Sequence, residues 1–179
     1  MPQPPERRLA LVTGSASGIG AAVARRLARD GYAVVAHGRR VRDDASSLLA
    51  DLGAIDYIAA DLADETQARR LVAEVLARHG RLDVLVNNAG ISGSSVGDPD
   101  GLEGWERVIA VNQTSVFLGT KLAAEEMAQT GGGSIVNDHD GTDGWDRIIA
   151  INQNSVFYGT RRAAAEMMKS GGGSIVNIS

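Results

Sequence analysis

Thr13-Gly14-Ser15-Ala16-Ser17-Gly18-Ile19-Gly20 is the stretch on which the rest of the chain is arranged. A short apolar run, Leu9-Ala10-Leu11-Val12, leads into it, and a helix-like segment, Ala21-Ala22-Val23-Ala24-Arg25-Arg26-Leu27-Ala28, leads out. Strand, glycine turn, helix is the order that brings backbone N–H groups up to a pyrophosphate without Cβ clashes. The helix N-terminus behind the turn adds a partial positive charge. Gly14 suits a tight turn, Gly18 gives phosphates room to approach, and Gly20 lets the helix pack on the sheet. Ser17 and Ile19 belong to the same loop. Glycines alone are weak evidence, but flanking strand and helix supply the context that a nucleotide site needs. A plain structural turn is the competing reading.

The spacing is Gly-x-x-x-Gly-x-Gly, with Thr13 in front, and Asn87-Asn88-Ala89-Gly90 follows a second apolar run, Val84-Leu85-Val86. Both motifs, in this order and separation, resemble the short-chain dehydrogenase/reductase family. The resemblance covers about Arg8 to Asn137. It implies a Rossmann-like fold, a nicotinamide dinucleotide cofactor, and hydride transfer between an alcohol and a carbonyl. It also places Asn88, Ala89 and Gly90 beside the cofactor.

The chain has 179 residues, enough for one domain with a sizeable core. Its net charge of −4 argues against nucleic acid as a main partner. With no cysteine, disulfides and thiolate metal sites are excluded. No metal site is expected. The amino-terminal apolar run is too short for a signal-peptide core or a membrane span, so a soluble, cytoplasmic protein is the default expectation.

Strand-like and helix-like segments alternate, which predicts an α/β fold: a doubly wound parallel sheet of about six strands, in a single domain over residues 1–179. Strands are expected at Ala10–Thr13, Ala33–His37, Asp56–Ala60, Asp83–Asn87 and Ser134–Asn137. Helices are expected at Ile19–Asp30, Asp44–Leu52, Asp64–His79 and Gly104–Met127. The Gly-, Ser- and Asp-rich loop Ile91–Gly101 should be mobile. The resemblance puts it near a substrate pocket, and a surface connection is the equal alternative.

Asp100–Asn137 is then written a second time as Asp140–Asn177. Trp105 matches Trp145, Asn112 matches Asn152, Phe117 matches Phe157, and Gly131 to Asn137 recurs unchanged as Gly171 to Asn177. These read as tandem copies of one helix–strand unit. A right-handed crossover would carry the second copy to the next sheet edge, giving strand order 3-2-1-4-5-6 with Gly144–Met168 as a helix beside the first long one. The rival arrangement leaves Ser134–Asn137 unpaired with Val84–Asn87. Two similar helices side by side would offer a surface for self-association, as homo-oligomers of the resembled family use.

The family's catalytic tyrosine has a lysine four residues on, which places both on one helix face. The lysines here are Lys121 and Lys169, preceded at that distance by Phe117 and Ala165. The tyrosines are Tyr32, Tyr57 and Tyr158; only Tyr158 has a cation, Arg162, at that spacing. A packing or surface role suits Tyr158 better, since Leu118 stands at the matching position of the first copy. Where the resemblance places a serine, the chain has Asp138-His139-Asp140 after the first copy and Ile178-Ser179 after the second. Asp138-His139-Asp140 reads as a junction loop rather than an acid/base or metal cluster. Asn112 matches the family's helix-four asparagine, which supports a water relay; it can equally bind backbone carbonyls and kink its helix. The sequence thus supports a dehydrogenase scaffold with little or no activity alone, a non-catalytic dinucleotide-binding module, or a structural duplication variant.

After strand two the chain reads His37-Gly38-Arg39-Arg40. An acidic residue there would accept the ribose 2′-hydroxyl of NAD; Gly38 stands in its place. Arg39 can pair with a 2′-phosphate, which favours NADP(H), with NAD as the alternative and a solvated loop arginine as the bland reading. Asp61-Leu62 resembles the family's adenine-contacting pair, although Asp61 could instead cap the third helix.

Overall fold

The computed structural model describes residues 7–41, 43, 45–92, 102–138 and 174–178, with Asp138 and 174–178 known by their backbone. The elements are β1 (Leu9–Val12), α1 (Gly18–Arg29), β2 (Ala33–Gly38), α2 (Ala45–Leu52), β3 (Asp56–Ala59), α3 (Glu65–His79) and β4 (Val84–Asn87). They are followed by α4 (Leu102–Ile109), a π-helical turn (Ala110–Thr114), α5 (Ser115–Gln129), β5 (Ser134–Asp138) and β6 (Ser174–Ile178). Most boundaries lie within one or two residues of the sequence expectation, as helix and strand ends commonly do.

The strands form one six-stranded sheet in the order β3-β2-β1-β4-β5-β6. Every neighbouring pair is parallel. The strand order reverses its winding between β1 and β4, and such a switch point opens a crevice at the carboxyl ends of the strands, where ligands of such sheets bind. β5 pairs with β4 from Ser134↔Val84 to Asn137↔Asn87, which rules out the rival arrangement. β6 pairs with β5 from Ser174↔Ser134 to Asn177↔Asn137, so identical residues of the two repeats face each other across the ladder. The expected helix Gly144–Met168, together with Tyr158, Arg162, Asn152, His139 and Asp140, lies outside the described residues, as does 93–101 of the Ile91–Gly101 loop.

Side chains alternate across each strand, so the sheet has two apolar faces. One buries Leu11, Val35, Ile58, Leu85 and Ile135 with Leu71, Val75 and Met127 of the helices. The other buries Ala10, Val12, Val34, Ala36 and Val86 with Ala21, Ala24 and Leu52. The near-continuous apolar strands LALV and VLVN follow from burial on both faces. Asn87, Asn137 and Thr120 are buried polar exceptions. Asn87 Nδ2 donates to Asn137 Oδ1 at 2.9 Å and to Thr120 Oγ1 at 3.1 Å, fixing β4, β5 and α5 together.

The third helix is capped by Asp64, whose carboxylate accepts from the amides of Thr66 and Gln67. Asp61 is therefore not the cap. The long helix expected from Gly104 begins at Leu102 and is interrupted by the π-helical turn Ala110–Thr114. Asn112 sits inside that turn.

Candidate nucleotide site

β1 delivers Thr13 to the crevice, where its side chain ties the two sequence motifs into one body. Thr13 Oγ1 donates to the Val86 carbonyl at 3.3 Å and accepts from the amides of Asn88 and Ala89, each at 3.0 Å. Asn88 Nδ2 donates to the Thr13 carbonyl at 2.8 Å. The Asn88-Ala89-Gly90 segment is thus bonded to the start of the glycine loop through side chains as well as through the sheet.

Gly14 and Gly18 have φ of 66° and 56°, the left-handed region that L-residues with a Cβ rarely adopt. Gly20 is required for a different reason: a Cβ there would stand 2.6 Å from the Gly14 carbonyl oxygen and against the Asn88 amide. Its close neighbours are therefore the loop itself and Asn88, not the sheet. α1 starts behind Ser17 with no side chain capping it and no acidic residue in its first turn. Its first N–H groups are left for an anion, and its dipole favours one.

His37, at the end of β2, is the residue that sequence reasoning passed over. The Gly14 amide donates to His37 Nδ1 at 3.0 Å, and His37 Nε2 lies 3.1 Å from the Ala60 carbonyl. A carbonyl only accepts, so Nε2 carries the proton and the ring is neutral. Ser15 completes the knot: its amide donates to the His37 carbonyl at 2.9 Å, and the His37 amide donates to Ser15 Oγ at 2.9 Å. His37 is 3% exposed. Burial lowers its pKa to about 4, against the opposing effects of the Ala60 carbonyl and the Asp61 charge. A lone histidine at a strand end gives no sequence signal of this role, because all its partners are distant in the chain or in the backbone.

A cavity of about 530 Å³ opens over these groups. Gly14, Ser17, Ile19 and Gly20 line one end, Arg39, Asp61 and Leu62 another, and Asn88, Ala89 and Gly90 the side towards β4. Of the residues expected in a dinucleotide site, Gly18 and Asn112 are not among its lining. Gly18, the first residue of α1, stands between two lining residues, Ser17 and Ile19. Asn112 acts from behind: its Oδ1 accepts from the Ile91 amide at 2.9 Å and its Nδ2 donates to the Ile91 carbonyl at 2.8 Å. Both polar atoms of the side chain bind backbone, and π-helical turns of this kind recur at functional sites.

Arg107 of α4 enters the site unannounced by the sequence. Its Nη2 donates to Asp61 Oδ2 at 2.7 Å, and Asp61 Oδ1 accepts from the Ala63 amide at 3.1 Å. Partial burial disfavours the Asp61 charge, but the Arg107 and Ala63 hydrogen bonds, with the charges of Arg107 and Arg39, outweigh it and hold the carboxyl below its ordinary range. The site therefore has an anion-accepting end at the glycine loop and α1, and a mixed-charge end at Arg39, Asp61 and Arg107.

The short chain dehydrogenase family model matches residues 8–139 and, a second time, residues 137–179. A protein named as ketoacyl reductase 2 of granaticin polyketide synthase in Streptomyces violaceoruber is 41% identical over 135 residues, 72% of this chain and 53% of that protein. Momilactone A synthase of Oryza sativa subsp. japonica is 42% identical over 126 residues, 68% of this chain and 45% of that protein. The chain thus spans about half the length of these relatives. The crystal structure of a metagenomic short-chain oxidoreductase in complex with NADP superimposes with a TM-score of 0.72 at 29% identity, covering 96% of this chain and 82% of that one. Among the described residues, no helix is long and apolar enough to cross a membrane.

Proposed function

This chain belongs to the short chain dehydrogenase family, and from that premise we propose that its crevice binds a nicotinamide dinucleotide, NADP(H) in preference to NAD(H). The observation that carries the reading is the joined cradle: the glycine loop, the uncapped start of α1 and the Asn88-Ala89-Gly90 segment, held in one piece by Thr13 and His37. Backbone N–H groups of Ser17, Gly18, Ile19 and Gly20 would hold the pyrophosphate. Arg39, beside Asp61, would take the ribose 2′-phosphate, and Asp61 and Leu62 would flank the adenine. Asn88, Ala89 and Gly90 would line the nicotinamide half, with Asn112 keeping the Gly90–Ile91 backbone in place behind them.

When bound, the cofactor would supply hydride chemistry between an alcohol and a carbonyl, the reaction class that relatives named as reductase and oxidoreductase suggest. These 179 residues contain no tyrosine with a lysine four residues on. We therefore propose that the chain by itself holds cofactor and turns over carbonyl substrate slowly or not at all. Loss of positioned proton transfer alone costs roughly 10²–10⁴-fold in rate. Fluorescence titration with NADPH and NADH tests the binding. Saturable binding with NADPH favoured is expected, and an absence of saturable binding to either dinucleotide overturns the reading. A carbonyl-reduction assay on the same protein tests the second part; turnover at an ordinary enzymic rate overturns it.

A further inference from the structure

β2 and β3 run side by side with Ala36 opposite Tyr57 and Gly38 opposite Ala59. Alternation puts Ala36, Gly38 and Tyr57 on one face of the sheet. The half-buried Tyr57 ring packs against the cluster that includes Val12, Val34 and Ala36. Its hydroxyl donates to the Arg40 carbonyl at 2.8 Å. A Cβ added to Gly38 would collide with Tyr57 Oη, and would lie 3.3 Å from both Tyr57 Cζ and Ala16 Cβ. The space beside residue 38 is thus filled by the same oxygen that holds the Arg39-Arg40 turn.

We propose that Tyr57 is a specificity-determining residue of the dinucleotide pocket: it anchors the turn that presents Arg39 to a ribose 2′-phosphate, and it denies position 38 to an acidic side chain that would take a ribose 2′-hydroxyl. The proposal rests on the NADP(H) reading above and deepens it. Residue 37 is spent on the glycine loop through its ring. Residue 38, the last of β2, is therefore where a carboxylate for the ribose would have to stand. Any side chain there must displace Tyr57 Oη. The ring is held by its apolar neighbours, and moving its oxygen gives up the bond to Arg40. A carboxylate at 38 and an anchored Arg39 turn are therefore mutually exclusive while Tyr57 is present. Arg39 selects the phosphate by charge; Tyr57 decides whether Arg39 is in place to do so.

Four proteins test this: the unaltered chain, Tyr57→Phe, Gly38→Asp, and the double variant, each titrated with NADPH and with NADH by nucleotide fluorescence. Tyr57→Phe keeps the ring and removes the anchor. A lost hydrogen bond predicts NADPH binding weakened by about three- to tenfold, with NADH binding within about twofold of the unaltered chain. Gly38→Asp alone should weaken NADPH without a matching gain for NADH. In the double variant, where Oη is gone, NADH binding should exceed that of Gly38→Asp by about fivefold or more, so the two substitutions are non-additive. Equal losses of both dinucleotides in Tyr57→Phe overturn the proposal, as does an NADH gain in Gly38→Asp that Tyr57→Phe does not increase. If Gly38→Asp fails to fold, Tyr57→Phe alone decides by its NADPH-to-NADH ratio. An unaltered chain that binds NADPH while Tyr57→Phe matches it sinks this proposal and leaves the binding function standing. An unaltered chain that binds neither sinks both.

Discussion

The Gly14 amide donates to His37 Nδ1 at 3.0 Å, so the start of the glycine loop is held by an imidazole from the neighbouring strand. The other ring nitrogen is engaged by the Ala60 carbonyl. One neutral side chain therefore joins the ends of β1, β2 and β3. Protonation would turn Nδ1 from acceptor to donor and set it against the Gly14 N–H.

That arrangement gives a pH signature. His37 titrates at about 4 in the folded chain against 6.5 for an ordinary histidine. Below 6.5 the unfolded chain takes up a proton that the folded chain refuses until about pH 4, so stability falls as pH drops through this window. The shift corresponds to about 3 kcal/mol lost across it. His37→Asn, which keeps an acceptor near Nδ1 and a donor but does not titrate, should lose most of this part of the pH dependence. Urea unfolding of both proteins from pH 7 to pH 4.5 reads the difference; parallel curves would refute it.

Thr13→Val should destabilise the chain by on the order of 1–3 kcal/mol, because the partly buried amides of Asn88 and Ala89 lose their shared acceptor. Thr13→Ser keeps the oxygen and should recover most of the loss. Equilibrium unfolding in urea measures both.

For Asn112, replacement by Leu removes both bonds to Ile91 at similar volume. Hydrogen exchange at the Ile91 amide should quicken by about tenfold or more, since its partner in the folded state is gone. NADPH should bind more weakly, as Gly90 and Ile91 line the pocket. Unchanged exchange at Ile91 would mean that the amide is protected by something else.

Arg107→Gln should raise the Asp61 carboxyl pKa, since the guanidinium supplies both a hydrogen bond and a charge. A depressed carboxylate contributes stability above its unfolded pKa and loses it as pH falls through the folded value. With its folded value nearer the unfolded one, the variant should lose less stability on acidification, and the loss should be complete at a higher pH than in the unaltered chain. An NMR titration of the Asp61 side-chain carbonyl carbon follows this directly, and Arg107→Lys should restore much of the original midpoint.

The sheet and its order were legible because apolar runs punctuated by glycine mark the strands, and the repeated Ser-Ile-Val-Asn marks two strands that pair alike. The glycine loop and Asn88-Ala89-Gly90 were legible as separate motifs. What joins them was not. Thr13 reads as a strand-end threonine, and its service to residues more than seventy positions away exists only once β1 and β4 are adjacent. Arg107 and Tyr57 are similar: each looks like a surface or packing residue until the fold sets it beside Asp61 or Gly38. The helix cap fell three residues from one of the sequence readings because Asp61 and Asp64 are alike in type and differ only in which amides come within reach. The π-helical turn at Asn112 was foreshadowed only by an asparagine that could kink its helix, because the Ile91 backbone groups it bonds are twenty-one positions away.

β6 presents the letters Ser-Ile-Val-Asn in step with the same letters on β5. A sheet margin that copies the strand inside it is a step that can be taken again: whatever ladder β5 accepts, β6 offers in the same phase. The ladder between β5 and β6 thus sets like residue beside like from Ser134 to Asn137, with no new side-chain type at the contact.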